Sequence, residues 1–468
     1  MARWLYTIAW YLAIPLVLVY LLWRSRRQPE YRRHLGERFG AHSPRTDMQP
    51  LFWLHAVSVG ETRAAQPLVA ALLERYPGCE VLVTHMTPTG RATGASLFAG
   101  LRVHQAYLPY DFPFAVRRFL RAWRPTIGIV IETELWPNLV AVARGEGVPM
   151  ALVNARLSDR SLRKARRWRA LIRPALAGLD LVLAQTDADA RRLAQLGRHA
   201  VPVLGNLKFD VVADAALEAR GHRWRAAWLA ARHAGALPRF CVVAASTREG
   251  EEALLLDAWA AHLQPPALAS RFPPLLVVVP RHPERFDEVA ALIESRGWRL
   301  ARRSRLADEP GPDAAQDAAP EAASEAVPDA GRDAAPDADL DAQVLLGDSM
   351  GEMAAWYGLA DVAIIGGSLL PYGGQNLIEA CAAGVPVVVG PHTFNFAEAA
   401  EQAIAAEAAI RVPDADRAVG EALAIVLDAE RRQSMSDCAL DFAGRHRGAT
   451  ARTIEALAPY VGARAAGE

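Results

Sequence analysis

Short, continuous apolar runs alternate with longer helical stretches through most of this chain. That alternation limits the fold more than any other feature. LFWLHAVSV (51–59) reads as a buried strand and ETRAAQPLVAALLERY (61–76) as the helix that follows it. CEVLVTHMT, TIGIVIETE, PMALVNARL and LDLVLAQT repeat the strand pattern, with helical stretches between them. The pattern breaks around Gly205 to Asp210, and an Arg/Ala-rich helical stretch follows. A second series opens at FCVVAAST (240–247) and continues with PLLVVVPRH, QVLLGDS, DVAIIGGS and VPVVVGPH. Strands that alternate with helices in this way form parallel, doubly wound sheets. The expected class is therefore α/β, with two successive Rossmann-like domains. Ligands of such sheets lie beyond the carboxyl ends of the strands, so two facing domains enclose a cleft where chemistry is expected.

Both flanks and one insertion depart from this pattern. Trp4 to Trp23 carries no charge, and 20 residues at ~1.5 Å each suffice to cross a hydrocarbon core of ~30 Å. Arg24, Arg26, Arg27, Arg32, Arg33 and Arg38 follow it, which by the positive-inside rule leaves the bulk of the chain on the cytoplasmic side of the membrane. Residues 4–23 are expected to anchor the chain. Pro15 and the central aromatics Trp10 and Tyr11 leave an interfacial helix open beside a spanning one. From Asp308 to Asp341 the chain is rich in Pro, Ala and Asp with almost nothing large and apolar, so residues 302–343 are expected to be a disordered acidic insertion. The expected boundaries are 1–44 for the anchor and basic segment, 45–215 and 216–430 for the two domains, and 431–468 for a helical segment packing back.

The 52 basic and 52 acidic residues cancel, which gives no electrostatic footprint for nucleic acid. The four cysteines lie far apart without a CxxC, which argues against a disulfide framework or a zinc site and fits a reducing compartment. No metal or other cofactor is expected.

Several strand exits carry candidate chemistry. Glu61 falls in the first turn of a helix just past a strand; Gly60 is expected to let the backbone turn tightly there, and His55 and Ser58 to add polar groups at the strand's exit. A carboxylate there complements the helix dipole, or at a cleft rim serves as a general base. In the second series Gly366 and Gly367 follow a strand, and Gly373 and Gly374 precede a helix opening with Gln375 and Asn376. Such turns either serve tight packing or present N–H groups to a phosphate. Glu379, one turn on, is placed to accept from ribose hydroxyls. Arg281, in Pro280–Pro283, follows another strand and either neutralises a leaving phosphate or forms a surface ion pair. Ser246 to Glu251 either caps a helix or offers hydroxyls to the same phosphate. Asp187 and Asp189 open a helix, which favours N-capping over metal binding.

Together these blocks resemble one family, the 3-deoxy-D-manno-octulosonate (Kdo) transferases of lipid A assembly. The matching segments are HAVSVGE (55–61), THMTPTG (84–90), YLPYD (107–111), ETELWPN (132–138), NARLSDRS (154–161), GNLKFD (205–210), STREGEE (246–252), PRHPERF (280–286), GDSMGEM (347–353), GGSLLPYGGQN (366–376) and GPHTFNF (390–396). The resemblance implies a GT-B fold, CMP-Kdo as donor and a lipid A precursor as acceptor, at the cell inner membrane. It implies Glu61 as the base that deprotonates the acceptor hydroxyl in an inverting displacement. Ser246, Thr247, Arg281, His282, Gly351, Glu352, Met353, Gly367, Ser368, Asn376 and Glu379 are the donor-site candidates. Ser58, Gly60, Glu132, Arg156, Ser158 and Lys208 are candidates for the acceptor or the Kdo group. Gln375 stands where many members carry His, and Gln cannot carry a proton there. Two other readings stand beside this one: a different GT-B enzyme using a UDP-sugar, transferase or epimerase, and a non-catalytic, membrane-tethered nucleotide-binding scaffold.

Overall fold

The computed structural model of the chain describes residues 1–465 apart from 27, 48, 212–213, 230–238, 264–273 and 306–341. Met1–Val212 with His446–Glu468 form one compact unit, and Ala213–Arg445 form a second.

The first unit is built on β1 (Leu51–His55), β2 (Glu80–His85), β3 (Val103–Tyr107), β4 (Ile127–Ile131), β5 (Met150–Ala155) and β6 (Leu181–Ala184). They pair in the order β3-β2-β1-β4-β5-β6, every pair parallel. Strands β1, β4 and β5 are buried at every position, as expected of a sheet covered on both faces. Trp53 of β1 shows how tightly one face is filled. Its ring meets Phe119 edge-on at 5.0 Å, and its indole N–H donates to Thr84 Oγ1 at 2.9 Å. Gly128 of β4 leaves room for that ring, since a Cβ there would lie 2.8 Å from Trp53 Cε3. The order reverses between β1 and β4, where His55 faces Val130, so the exits of these two strands frame the crevice that such sheets offer to ligands.

The second unit contains β7 (Cys241–Thr247), β8 (Leu275–Pro280), β9 (Leu300–Arg302), β10 (Val344–Leu346), β11 (Val362–Ile365), β12 (Val387–Val389) and β13 (Ala409–Arg411). Their order is β13-β12-β11-β7-β8-β10-β9, again all parallel. Here the switch falls between β7 and β11, whose exits are Ser246–Thr247 and Gly366.

The flanks are more broken than their composition suggests. The uncharged N-terminal run is not one continuous helix. It forms Ala2–Leu12 and Ile14–Arg24, bent by 49°, and no single helix among the described residues is long and apolar enough to cross a membrane. The break sits at Ala13, just before Pro15, which has no N–H to continue the ladder. The C-terminal run is two helices, Ala429–Arg445 and Ala449–Ala465, parted at Gly448 with φ +91°. The first stays with the second unit and the return begins only at His446. Asp210 anchors that return by accepting from Gly448 N–H at 2.6 Å and Thr450 N–H at 2.5 Å. The acidic stretch 308–341 lies outside the described residues, but the flanks assigned to it do not. Arg302 ends β9 and bonds Asp348 at 2.7 Å, and Arg303 bonds Glu352 at 3.1 Å, so charge pairing orders both.

Candidate functional site

In the first unit, β1 delivers the chain to Ser58, which caps helix Val59–Arg75. Ser58 Oγ accepts from Glu61 N–H at 3.5 Å, and Glu61 Oε2 accepts from Val57 N–H at 2.7 Å. Ser58 caps the first turn while Glu61 ties the residue before the cap to it, so Glu61 does serve the helix start. It also does more. Burial, and then the charge of Glu132, push its carboxyl up to about 7. A half-buried carboxyl that ionises near neutrality is poised to accept a proton.

Glu132 leaves β4 with φ +62°, a left-handed conformation that a glutamate adopts only under constraint. Its N–H is fixed on Val153 O at 3.0 Å, and Lys208 Nζ pairs with its Oε1 at 2.8 Å. Lys208 is held in turn by the 3₁₀ turn Leu207–Asp210, whose first N–H donates to Asn154 Oδ1 at 3.1 Å. The structure thus brings Ser58, Glu61, Glu132 and Lys208 into one network. The Arg156 N–H reaches Glu132 O at 3.4 Å. Ser158 is exposed and caps helix Asp159–Arg167. Glu134 was missed by sequence reasoning. It accepts from Trp136 Nε1 at 2.7 Å, and its burial raises its carboxyl pKa. Two acids flanking one residue in ETELW were the available signal.

Two neighbours play other parts than those expected. Gly60 makes no tight turn. It sits within the helix, and a Cβ there would meet only Ser58 Oγ at 4.0 Å. What the glycine provides is open space next to Glu61. His55 is fully buried, holds Thr84 O at 3.1 Å through Nδ1, and is driven by desolvation to about 3, so it is a neutral core residue. Asp187 and Asp189 lie in a first helical turn whose N-cap is Thr186, and Asp189 accepts from Leu157 N–H at 2.7 Å.

In the second unit, β7 ends in a bulge at Ser246, with φ +59°, and its hydroxyl lies 3.9 Å from Met353 Sδ. Gly366 follows β11, and a Cβ there would stand 2.6 Å from Thr247 Cα, so only glycine lets the two strand exits touch. The glycine-rich loop does not offer the open row of N–H groups expected of it. Glu251, buried at the start of helix Glu251–Leu263, accepts from Gly367 N–H at 2.6 Å, Leu369 N–H at 3.0 Å and Leu370 N–H at 3.3 Å. Gly374 and Gln375 donate back to Gly367 O and Gly366 O at 2.7 and 3.0 Å. Packing has consumed these donors. Sequence reasoning missed Glu251 as the organiser, although an acid opening a helix after a strand was its signal.

Other donor candidates divide in the same way. Ser368 is buried, donates to Ile365 O at 2.5 Å and accepts from Gly390 N–H at 2.8 Å, which makes it a brace between loops. Thr247 is buried and donates to Glu252 Oε1 at 2.7 Å, itself held by Arg285 at 2.7 Å. Glu352 accepts from Ser349, Arg220 and Arg303. Partly accessible at the same end of the sheet are Ser246, Arg281, His282, Met353, Asn376 and Glu379, with Gly351 exposed beside them at φ +87°. Arg281 is fixed through its N–H on Thr247 O at 3.0 Å, and Asn376 Nδ2 orients Glu379 Oε1 at 2.8 Å. Burial, and then the positive charges of Arg248, Arg281 and Arg285, lower the pKa of His282 against the opposing charge of Glu284. Arg248 itself stacks over Tyr372 at 4.6 Å.

Two all-parallel Rossmann-like units, each with polar groups gathered at its switch point, define the GT-B class of α/β enzymes. UDP-GlcNAc 2-epimerase from Neisseria meningitidis bound to UDP-GlcNAc shares the fold with a TM-score of 0.55 at 13% identity, over 88% of this chain and all of that one. Residues 33–211 match the family described as 3-deoxy-D-manno-octulosonic-acid transferase (kdotransferase). The 3-deoxy-D-manno-octulosonic acid transferase of Bordetella pertussis is 47% identical over 99% of this chain and 100% of its own length. That of Haemophilus influenzae is 33% identical over 98% and 99%. The chain belongs to the Kdo transferase family and is a glycosyltransferase.

Proposed function

We propose that this enzyme moves Kdo from CMP-Kdo to a lipid A precursor at the cytoplasmic face of the inner membrane. The observation that carries the mechanism is the Glu61 carboxyl, held near neutrality at the β1/β4 switch point. Glu61 takes the proton of an acceptor glucosamine hydroxyl, and the freed oxygen attacks the anomeric carbon of Kdo. The bond from that carbon to the CMP phosphate oxygen breaks with inversion, and its electron pair leaves with CMP. Gly60 leaves the approach to Glu61 uncluttered. Glu132 keeps Glu61 basic enough to accept the proton, and Lys208 balances the charge of Glu132.

In the second unit, the donors already used by Glu251 shift the phosphate's stabilisation from backbone N–H groups to the Arg281 side chain, with Ser246 adding a hydroxyl. Glu379, oriented by Asn376, accepts from ribose hydroxyls. Electrostatic stabilisation of the departing phosphate is the dominant contribution in such reactions.

The N-terminal helix pair supports an interfacial attachment. Trp10, Ile14, Val17 and Leu21 pack toward Tyr110, Phe112 and Ala115, while Trp4, Leu5, Leu12, Leu16, Val19 and Trp23 are exposed. An apolar outer face of this size on a bent helix pair suits the headgroup boundary of a bilayer. The test is incubation of the purified protein with CMP-Kdo and a tetraacylated lipid A precursor in vesicles, read by product mass. A Kdo adduct formed from CMP-Kdo is the expected product. Tighter binding of UDP than of CMP would point to a UDP-sugar enzyme instead.

A further inference from the structure

Seven of the fourteen residues from 160 to 173 are basic and none is acidic: Arg160, Arg163, Lys164, Arg166, Arg167, Arg169 and Arg173. All seven are exposed. They lie on helices Asp159–Arg167 and Arg169–Ala177, which turn inward only Leu162, Ala175 and Leu176, with Ala165 and Ile172 partly buried. Among the described residues, Arg160, Lys164, Arg167, Arg169 and Arg173 have no carboxylate within ion-pair distance. The nearest acid on these helices, Asp159, is paired with Arg192 at 2.7 Å. In a chain whose formal charges sum to zero, this is a concentrated and unneutralised field.

Its surroundings indicate what it meets. Trp168, at the joint between the two helices, is 63% exposed, although nothing in the fold requires an aromatic ring in water there. Helix Ala2–Leu12 lies against helix Arg169–Ala177, and a groove between them is lined by Ala2, Arg3, Arg144, Ala170, Leu171 and Pro174. The basic helices therefore border the apolar face carrying Trp4, Leu5 and Ile8. Cations beside exposed aliphatic and indole groups fit an anionic lipid surface, where acyl chains receive the apolar groups and headgroup phosphates receive the arginines.

We propose that helices Asp159–Arg167 and Arg169–Ala177 form a second membrane contact, selective for anionic lipid, with Trp168 entering the headgroup layer. It rests on the reading that the N-terminal helix pair meets a bilayer. It orients the first unit about that attachment, since a second contact beside the first fixes a rotation that one contact leaves free.

The test is co-sedimentation of the full chain with phosphatidylcholine vesicles and with vesicles that also contain phosphatidylglycerol. The wild-type chain is expected to favour the anionic vesicles, and salt is expected to weaken that preference. The combined R160Q/R163Q/R167Q variant is expected to bind them roughly 100-fold more weakly, at about fivefold per charge, yet to bind neutral vesicles as before. The matching triple Lys variant is expected to keep the preference. Wild-type affinity of the Gln variant for anionic vesicles would overturn the proposal while leaving the N-terminal attachment standing. Equal loss of binding to neutral vesicles would overturn it too, by showing that the arginines serve the fold. Absence of all vesicle binding by the wild-type chain would remove the attachment and the proposal together. Binding of single-stranded RNA with the same dependence on the three arginines would reassign the surface to nucleic acid.

Discussion

The raised Glu61 carboxyl makes a prediction with a defined size. Its pKa is pushed from an ordinary 4.5 to about 7, first by burial and then by the charge of Glu132, with Glu134 adding to it. A base works only when ionised. For a carboxyl titrating at about 7, the ionised fraction falls roughly tenfold between pH 8 and pH 6. The kcat/KM for Kdo transfer should fall by that factor over the same window, with a single acid limb. Glu132→Gln removes the second cause and should move the limb to lower pH. Lys208→Met removes the counter-ion of Glu132 and should move it higher. The same shift sets a sign for stability. The folded state holds the Glu61 proton more tightly than the unfolded chain, so this group's stabilisation is full below about 4.5 and lost as pH rises through about 7. After allowance for partial exposure, the loss is roughly 2 kcal/mol. Glu61→Gln should therefore stabilise the protein at pH 8 and leave it nearly unchanged at pH 4, in denaturant titrations at the two pH values. A kcat/KM that stays flat from pH 8 to pH 5, or a limb that persists in Glu61→Gln, would refute the reasoning.

Three further outcomes follow from the packing. Glu251→Ala strips the acceptor from three N–H groups of the 367–370 loop and should cost about 3–5 kcal/mol while abolishing CMP binding, read by thermal shift and calorimetry. Gly366→Ala forces a methyl against the backbone at Thr247 and should reduce CMP affinity more than it lowers the stability of the first unit, read by calorimetry and by hydrogen exchange of β1 and β4. Tyr6→Phe removes a 2.9 Å hydrogen bond to buried Asp111, whose Oδ1 also accepts from Leu139 N–H at 2.7 Å, and should cost about 1–2 kcal/mol in denaturant titrations.

Much of the fold was legible because its strands are buried on both faces. Phe52, Trp53 and Leu54 or Val277, Val278 and Val279 read as uninterrupted apolar runs, and a parallel sheet is the only common home for them. The switch points were legible as polar residues at strand exits, Ser58 and Glu61 after β1 and Ser246 at the end of β7. Other features depend on what a group meets in three dimensions. That Glu251 spends its carboxylate on the loop beginning at Gly366 joins residues over a hundred positions apart, and no local pattern records it. Gly60 reads as a turn residue until the helix is seen to include it. The bend at Ala13 was foreshadowed by Pro15, yet composition alone carried the apolar run through it. The positive φ of Glu132, +62°, has no local sequence mark; its partners Val153 and Lys208 are distant in sequence.

The most direct measurement compares the wild-type chain with Glu61→Gln, supplying CMP-Kdo and the lipid A precursor, with product followed by mass spectrometry and CMP affinity by calorimetry. The account predicts that the substitution abolishes the adduct, a loss of at least a hundredfold in rate, while CMP binds as before. Undiminished transfer by Glu61→Gln, or loss of CMP binding together with transfer, would contradict it.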